Sequence, residues 1–166
     1  LILAANTAQL HSKSFLAELK SWIRFSRAAA IRSGDGLYAA ATGTPVLPDL
    51  IGPIAFDFAL DPEAENERYA VQIASSAGLL VIVAPTDRPA GWAASGRACQ
   101  RMMLQTTADD LRCAFVNQPV ELPNFRTELA ALLALDGRRP SLVLRVGRAA
   151  PMPYALRRPV SEVLSY

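Results

Sequence analysis

One stretch of the sequence, Gly78–Ala84 (GLLVIVA), is apolar throughout, rich in β-branched residues and followed directly by Pro85. A run of this length matches a strand, and it falls far short of the ~20 apolar residues with which a helix crosses a membrane. It is part of the longest uninterrupted apolar segment in the chain. We therefore predict a central strand buried on both faces, and we expect no membrane insertion.

The composition favours one folded domain with an anionic partner. The chain has 166 residues and is 51% apolar, which is enough for a buried core and excludes a disordered chain. Its net charge of +2 is unevenly spread, because residues 137–166 hold six arginines and one acid whereas residues 1–136 hold 11 bases and 14 acids. No long basic face with interleaved aromatics is visible, so we expect no nucleic-acid partner.

Helical and strand patterns intermix without regular βαβ repetition, which favours an α+β fold. An amphipathic helix is predicted over 14–30, capped by Ser12 or Ser14 and ended by a glycine turn at 33–36. Residues 37–62 contain four prolines and predict an irregular lid or arm. The other predicted elements are a buried core or interface helix over 92–110, a helix over 123–135, strands over 112–116 and 141–146, a loop over 117–122, and an extended tail over 149–166 that includes one helical turn.

Residues that carry common catalytic chemistry are scarce. His11 is the sole histidine, and Cys99 and Cys113 are the only cysteines, so a structural zinc site and a nucleophilic triad are excluded. We interpret both cysteines as buried free thiols. Phosphate-binding glycine loops and nucleophile-elbow motifs are also absent. If the protein is an enzyme, a bound cofactor is expected to supply the difficult chemistry.

Two short motifs are candidates for contact with a cofactor. Residues 157–159 (RRP) place two guanidinium groups on a stiffened backbone, which suits a phosphate, although a solvated arginine pair is the simpler alternative. Residues 114–119 (AFVNQP) run from a strand into Asn117 and Gln118. Their amide groups suit a planar heterocycle, although an asparagine-capped turn is the simpler alternative.

Two weaker features also allow a functional and a structural interpretation. Arg97 and Arg101 lie four residues apart and share one face of the predicted 92–110 helix, where they contact either a ligand or solvent. Gly34–Leu37 (GDGL) either positions a lid beside a ligand or simply ends the preceding helix.

Seven stretches, in order and spread over almost the whole chain, form a single pattern. They are FLAELKSWI at 15–23, GDGL at 34–37, SSAGLLVIV at 75–83, WAASGRACQR at 92–101, AFVNQPVE at 114–121, RPSLVLRVG at 139–147 and MPYALRRPVSEV at 152–163. Together they resemble the nitroreductase family of flavoproteins, in the branch whose members often carry a twin-arginine export signal. The resemblance implies that residues 1–166 are the C-terminal portion of a single nitroreductase-like domain. It leaves open whether the protein is cytoplasmic or exported.

The same resemblance implies an α+β fold with a central, mostly antiparallel or mixed sheet flanked by helices, and an extended C-terminal tail. It further implies a homodimer that binds FMN at the subunit interface. NAD(P)H would reduce the FMN, which would then reduce a nitroaromatic, a quinone or a similar flat acceptor.

Five residues of this chain match positions that hold the flavin in the family. Phe115, Asn117 and Gln118 fall in the strand-end loop under the ring, with the backbone N–H near Asn117 facing flavin N5. Arg157, with Arg158 second, matches the arginine that meets the phosphate. Two alternatives stay open: a non-catalytic relative that binds or sequesters FMN, and a structural dimerisation fragment. The first is motivated by Ala155, which stands where the family commonly has Ser or Lys.

Overall fold

The computed structural model describes residues 1–164, apart from the side chain at position 59. Helices and strands are mixed along the chain, as the α+β prediction requires. In chain order the elements are α1 (Ile2–Leu10), α2 (Lys13–Trp22), β1 (Ile23–Arg24), α3 (Arg27–Ser33), β2 (Leu37–Tyr38), α4 (Ala39–Thr42), α5 (Gly52–Ala59), α6 (Pro62–Ala74), β3 (Gly78–Ala84), α7 (Pro89–Ala108), β4 (Arg112–Phe115), α8 (Gln118–Glu121), α9 (Pro123–Leu132), β5 (Arg139–Gly147) and α10 (Val160–Val163).

The chain divides into two compact units. The first unit contains residues 1–11 and 62–150, and the second contains residues 12–61 together with the C-terminal segment from Pro151. The first unit carries a three-stranded antiparallel sheet in the order β3-β5-β4. The second carries a two-stranded parallel sheet of β1 and β2.

The centre of the larger sheet is β5, so the prediction that Gly78–Ala84 is the central strand is wrong. The bounds of β3 are as predicted, but β3 lies at an edge and Leu79 on it is 45% exposed. In β5, by contrast, the adjacent residues Val143 and Leu144 are both buried, and adjacent strand residues point to opposite faces. An apolar run indicates a strand but does not distinguish an edge position from a central one.

The β3–β5 pairing contains a bulge near the start of β5. Ile82 pairs with Leu142 and Val83 pairs with Pro140, so Ser141 is the extra residue. A proline has no N–H for the ladder, and bulges are where a sheet tolerates one. The bulge also shifts the alternation of side chains, so that Arg139 at the start of β5 pairs with Ala84 at the end of β3.

One core cluster of the first unit lies between the sheet and helices α8 and α9. Its buried members Val116, Val120, Leu129 and Val143 come from β4–α8, α9 and β5, and half-buried Ile2, Tyr69 and Val81 pack against them. The segment predicted as a loop over 117–122 contains helix α8 instead, with Pro119 near its start. Proline is well tolerated in a first helical turn, and the burial of Val120 stabilises the helical conformation.

Helix α7 begins at Pro89, three residues earlier than predicted, and buries one stripe only. Its buried residues Gly91, Ser95, Cys99 and Thr106 follow helical spacing, whereas Trp92 and Leu104 are exposed. The helix is therefore not enclosed by the core of this chain, and its burial in an interface stays a prediction. Gly91 is required by packing, because a Cβ atom there would lie 2.1 Å from the Thr86 carbonyl oxygen.

In the second unit, the helix predicted over 14–30 is interrupted. Ser12 caps α2 by accepting a hydrogen bond from the Phe15 N–H, as predicted, but α2 ends at Trp22. Ile23–Arg24 then form β1, and Ser26 caps a separate helix α3 through the Ala29 N–H. A second capping serine inside the apolar pattern marks this break.

Residues 37–62 are more regular than predicted, because they contain β2, α4 and α5. Helix α5 begins at Gly52, which packs directly on Phe25, and Phe25 in turn contacts the Phe56 ring edge-on at 6.2 Å. The tail after Ala150 is extended and has one helical turn, α10, as predicted over its described part. Residues 165 and 166 of that prediction lie outside the described residues.

Candidate functional site

Three residues near one end of the three-stranded sheet carry buried polar side-chain atoms without a hydrogen-bond partner in the described chain. At this end β3 and β4 finish and β5 begins. We call it the polar end and define it by Asp87, Trp92, Asn117, Gln118, Arg139 and Ser141. Among residues 1–164, the buried side-chain atoms without a hydrogen-bond partner are Gln118 Oε1, Arg139 Nε and Ser141 Oγ, and all three lie here. Such groups are rare in folded proteins, and each one calls for an explanation.

Asn117 extends the sheet by one rung. The Val116 N–H donates to the Val143 carbonyl at 2.9 Å, and the Val143 N–H donates to Asn117 Oδ1 at 2.8 Å. The side-chain oxygen thus stands in for a backbone acceptor at the point where β4 ends. The carbonyl of Asn117 also accepts from the Val120 and Glu121 N–H groups and so starts α8. Within the described chain no acceptor takes the backbone N–H of Asn117.

Gln118 is 8% exposed and is the end member of a directional chain of hydrogen bonds. Its Nε2 donates to Asn6 Oδ1 at 3.3 Å, Asn6 Nδ2 donates to Asn66 Oδ1 at 2.8 Å, and Asn66 Nδ2 donates to Thr7 Oγ1 at 2.6 Å. This order fixes which way the Gln118 amide points, leaving Oε1 as its free acceptor. Phe115, three residues earlier, exposes 48% of its surface.

An arginine–aromatic cluster occupies the other side of the polar end. Asp87 follows β3 and accepts hydrogen bonds from Trp92 Nε1 at 2.8 Å and from Arg139. The Arg139 guanidinium carbon lies 5.3 Å from the centre of the Trp92 ring. The bulge makes this contact possible. It pairs Arg139 with Ala84 and so turns the Arg139 side chain to the face of β5 opposite to that of Val143.

The charges in this cluster influence one another. Hydrogen bonds from Trp92 and then from Arg139 hold the pKa of Asp87 below its ordinary value. Arg126, on the first turns of α9, donates Nε to the Val120 carbonyl at 2.7 Å. Burial and repulsion from Arg139 lower the pKa of Arg126, and the attraction of Asp87 opposes this. Asp87 forms its ion pair with Arg139, and among residues 1–164 no ion pair joins it to Arg126.

The predicted phosphate contacts lie in the second unit. Arg157 and Arg158 are both exposed, and Arg157 makes only a 3.5 Å contact with the carbonyl of the preceding residue. Arg158 lies close enough to Asp35 to help lower the pKa of that carboxyl, after the larger effects of hydrogen bonds from Arg24 and Ser33. The described part of the chain thus leaves the Arg157 guanidinium free for an anion.

The remaining candidate residues have structural surroundings. Gly34 ends α3 in the left-handed conformation, so GDGL forms a helix-ending turn. Arg97 and Arg101 are exposed on α7. Cys99 is a buried free thiol as predicted, whereas Cys113 is only half-buried, and burial raises the pKa of Cys99.

Residues 1–164 contain neither a cluster of metal ligands nor a membrane-spanning helix. No three His, Cys, Asp or Glu side chains converge as metal ligands within this range. None of the helices within it has the length and apolar character of a membrane span.

Sequence reasoning found one half of the polar end and missed the other. Phe115, Asn117 and Gln118 follow a strand and were identifiable from the AFVNQP motif. Asp87 and Arg139 are distant in sequence and meet through the antiparallel pairing of β3 with β5. The sequence did contain a clue. Polar residues follow β3 and precede β5, and antiparallel pairing brings these two positions to the same end of the sheet.

Comparison with known proteins found two curated relatives, both from Mycobacterium tuberculosis and each named "Putative NAD(P)H nitroreductase". Each is 26% identical to this chain over 140 residues, which is 80% of this chain and 41% of the relative. The chain therefore spans about two fifths of the length of these relatives. No family model matches the chain, and no solved structure matches it. The relatives support the resemblance at the level of an NAD(P)H nitroreductase.

Proposed function

We propose that this protein is a flavin-dependent oxidoreductase of the nitroreductase type. NAD(P)H would reduce a bound FMN, which would then reduce a nitroaromatic, a quinone or another flat acceptor. The observation that carries the proposal is that the AFVNQP motif lies at the polar end, where the described chain leaves polar atoms unsatisfied. The names of the two relatives support the same class of activity.

The groups left free at the polar end fit the ring of a flavin. A flavin ring is flat and aromatic and carries both hydrogen-bond acceptors and an imide N–H donor. The exposed Phe115 ring offers apolar contact, and the backbone N–H of Asn117 is a donor without an acceptor in the described chain. Gln118 lies next to it, with its Oε1 buried and unpartnered. The side-chain oxygen of Asn117 is occupied by the Val143 N–H, so we assign the role of Asn117 to its backbone.

This arrangement explains how the chain could act without a titrating catalytic residue. FMN, when bound, supplies the acceptance of hydride and the delivery of electrons. The protein would hold a fixed N–H donor toward the ring, which stabilises developing negative charge without reorganisation. The asparagine side chain keeps that backbone in place through the sheet, and the hydrogen-bonded chain from Gln118 to Thr7 holds the neighbouring amide.

We propose separately that Arg157, with Arg158 second, binds the FMN phosphate. A guanidinium group can form paired, charge-assisted hydrogen bonds with phosphate oxygens. Both side chains are exposed, and no carboxylate within the described chain forms an ion pair with either of them. The nearby Asp35 forms its ion pair with Arg24, at 2.7 Å, rather than with Arg158.

We also propose a homodimer in which α7 faces a second copy. Leu104 and Trp92 on this helix are 62% and 47% exposed, and burial of these apolar side chains against a second copy would stabilise a dimer. Sedimentation velocity tests this part, with a dimer expected and a concentration-independent monomer contradicting it.

Titration of the purified protein with FMN, followed by flavin fluorescence, tests the function. Arg157→Ala is expected to weaken FMN binding by about 1.5–3 kcal/mol through loss of a charge-assisted contact. Arg148→Ala, at another exposed arginine, is the matched control and should bind normally. Consumption of NAD(P)H with a quinone or nitro acceptor then separates an enzyme from a protein that only binds flavin. Failure of the wild-type protein to bind FMN would overturn the proposal.

A further inference from the structure

We propose that a cleft in the second unit binds a small organic anion, namely a carboxylate carried on a short aliphatic chain. The cleft has a volume of about 540 Å³ and is bordered by α2, β1, α3 and the start of α5. Binding sites for small molecules have volumes of this order. The proposal goes beyond the flavin-dependent function and does not rest on it, because none of the lining residues belongs to the proposed flavin contacts.

The apolar part of the lining suits an aliphatic chain. Half of the residues that line the cleft are apolar, and these are Ala17, Ile23, Phe25, Ala29 and Pro53. Phe25 is 6% exposed, packs on Gly52 and contacts the Phe56 ring edge-on at 6.2 Å. A wall that is already fixed in this way needs little further ordering when a ligand binds, which lowers the cost of association.

Two cations from different helices line the cleft and carry unused hydrogen-bond donors. Lys20 of α2 forms an ion pair with Asp57 at 2.5 Å, and Arg32 of α3 forms one with Asp49. Each pair uses one N–H group, whereas an ammonium and a guanidinium group each carry several. Within the described residues no other acceptor takes a donor from Lys20 or Arg32, so donors remain for the charge-assisted hydrogen bonds that a carboxylate accepts.

The charge of the lining also favours an anion. Among the described residues that line the cleft, three side chains are cationic and one is acidic, namely Lys20, Arg24, Arg32 and Asp49. Asp35 and Asp57, which pair with Arg24 and Lys20, are not part of the lining. Asp49 already pairs with Arg32, so it offers no free carboxylate to a cationic ligand. A cleft whose lining is mainly of one sign attracts the opposite charge.

Arg24 holds the walls of the cleft together and is not assigned to the ligand. Its Nη1 donates to the Ser21 carbonyl at 2.7 Å, its Nη2 to Asp35 at 2.7 Å and its Nε to Ser33 Oγ at 3.0 Å. These bonds join the end of α2 to the end of α3 and the turn that follows it. Since every nitrogen of this guanidinium is engaged, the anion is left to Lys20 and Arg32.

Calorimetry with straight-chain carboxylates from acetate to octanoate tests the site. We expect saturable binding of octanoate, with an affinity that rises by up to about fourfold for each added methylene group until the cleft is filled. Octanamide has the same chain without the charge and should bind at least about tenfold more weakly than octanoate. Inorganic phosphate has charge without a chain and should also bind more weakly than octanoate.

Variants locate the site. Lys20→Gln and Arg32→Gln should each weaken octanoate binding about fivefold. Lys13→Gln and Arg27→Gln are the matched controls, because these residues are exposed on the same two helices outside the lining, and they should have no effect. Asp57→Asn answers the question if the glutamine variants do not fold. It frees Lys20 and should tighten octanoate binding about twofold, whereas a purely structural role of the ion pair would weaken it.

Several results would overturn the proposal. They are the absence of saturable octanoate binding, equal affinities for octanoate and octanamide, an affinity that does not rise with chain length, and equal losses in the Lys20 and Lys13 variants. Arg157→Ala should bind octanoate as the wild-type protein does, and a loss there would assign the anion to the proposed flavin-phosphate contact instead.

FMN titration of the same samples separates this proposal from the proposed function. A protein that binds FMN but not octanoate refutes only the carboxylate site. One that binds octanoate through Lys20 and Arg32 without binding FMN refutes only the flavin-dependent function.

Discussion

The two ends of the three-stranded sheet are finished in different ways. At the far end, where β5 finishes, the Ala77 N–H donates to the Val146 carbonyl at 2.8 Å and the Leu111 N–H donates to the Thr106 carbonyl at 2.7 Å. We call this the closed end and define it by Ala77, Leu111, Arg112 and Gly147. There Arg112 is satisfied by Asp110 at 2.9 Å and by the Leu111 carbonyl at 3.0 Å.

At the polar end, by contrast, some buried polar groups lack a hydrogen-bond partner in the described chain. The Asn117 side chain replaces one backbone acceptor there, and three buried polar atoms have no partner within residues 1–164. Since both ends belong to the same strands, the difference does not come from the fold as a whole. Under the proposed function, the closed end serves stability, whereas the polar end gives up some stability in favour of a ligand site.

The largest expected effect on stability is at Asn117. Asn117→Ala removes the acceptor of the Val143 N–H and leaves that buried donor unsatisfied, so the free energy of unfolding should fall by about 1–3 kcal/mol. Urea denaturation measures this. Asn124→Ala, at an exposed asparagine in α9, is the control and should be nearly neutral. A neutral Asn117 variant would show that the side chain does not hold the end of the sheet.

A smaller effect of opposite sign is expected at Ser141. Its hydroxyl is buried without a partner, so Ser141→Ala should raise the free energy of unfolding by about 1 kcal/mol. Ser95→Ala is the matched control, because the Ser95 hydroxyl is buried but donates to the Gly91 carbonyl at 3.1 Å. That variant should lose about 1 kcal/mol. The contrast between the two ends would be wrong if both serines behaved alike in thermal and urea unfolding.

The smallest expected effect is a pH dependence at Asp87. The folded-state pKa of Asp87 is lowered, so its stabilising contribution is fully present above the unfolded value near 3.8 and is lost as the pH falls below that value. The Asp87→Asn variant should therefore lose less stability than the wild-type protein as the pH is lowered from 5. The midpoint of urea denaturation, recorded at several pH values, measures this difference. Asp35 and Asp49, whose pKa values are also lowered, retain the rest of the acid sensitivity.

Local patterns predicted the elements better than their arrangement. The strand at 78–84, the helix from Pro123 and the serine cap at Ser12 depend on nearby residues, and the structure has them. The position of β3 at the edge depends on which strand β5 pairs with, and hydrophobicity carries no such information. The break at Ile23 was missed because an apolar residue satisfies a helical pattern and a short strand equally well.

The candidate site divides in the same way. Asn117 and Gln118 form a contiguous motif and could be singled out, although the structural use of the Asn117 side chain could not. Arg139 was part of a matched stretch but was not identified as a site residue. Its orientation depends on the bulge at Ser141, and a bulge is specified by the pairing partner as much as by its own residues.

Amide NMR spectra recorded during an FMN titration test the central claim most directly, since they read both ends of the sheet in one sample. The account predicts saturable shifts of the Phe115 and Asn117 backbone amides and of the Gln118 side-chain amide, with little change at Leu111 and Gly147. Saturation with FMN that shifts the closed end and leaves residues 115–118 unchanged would contradict it.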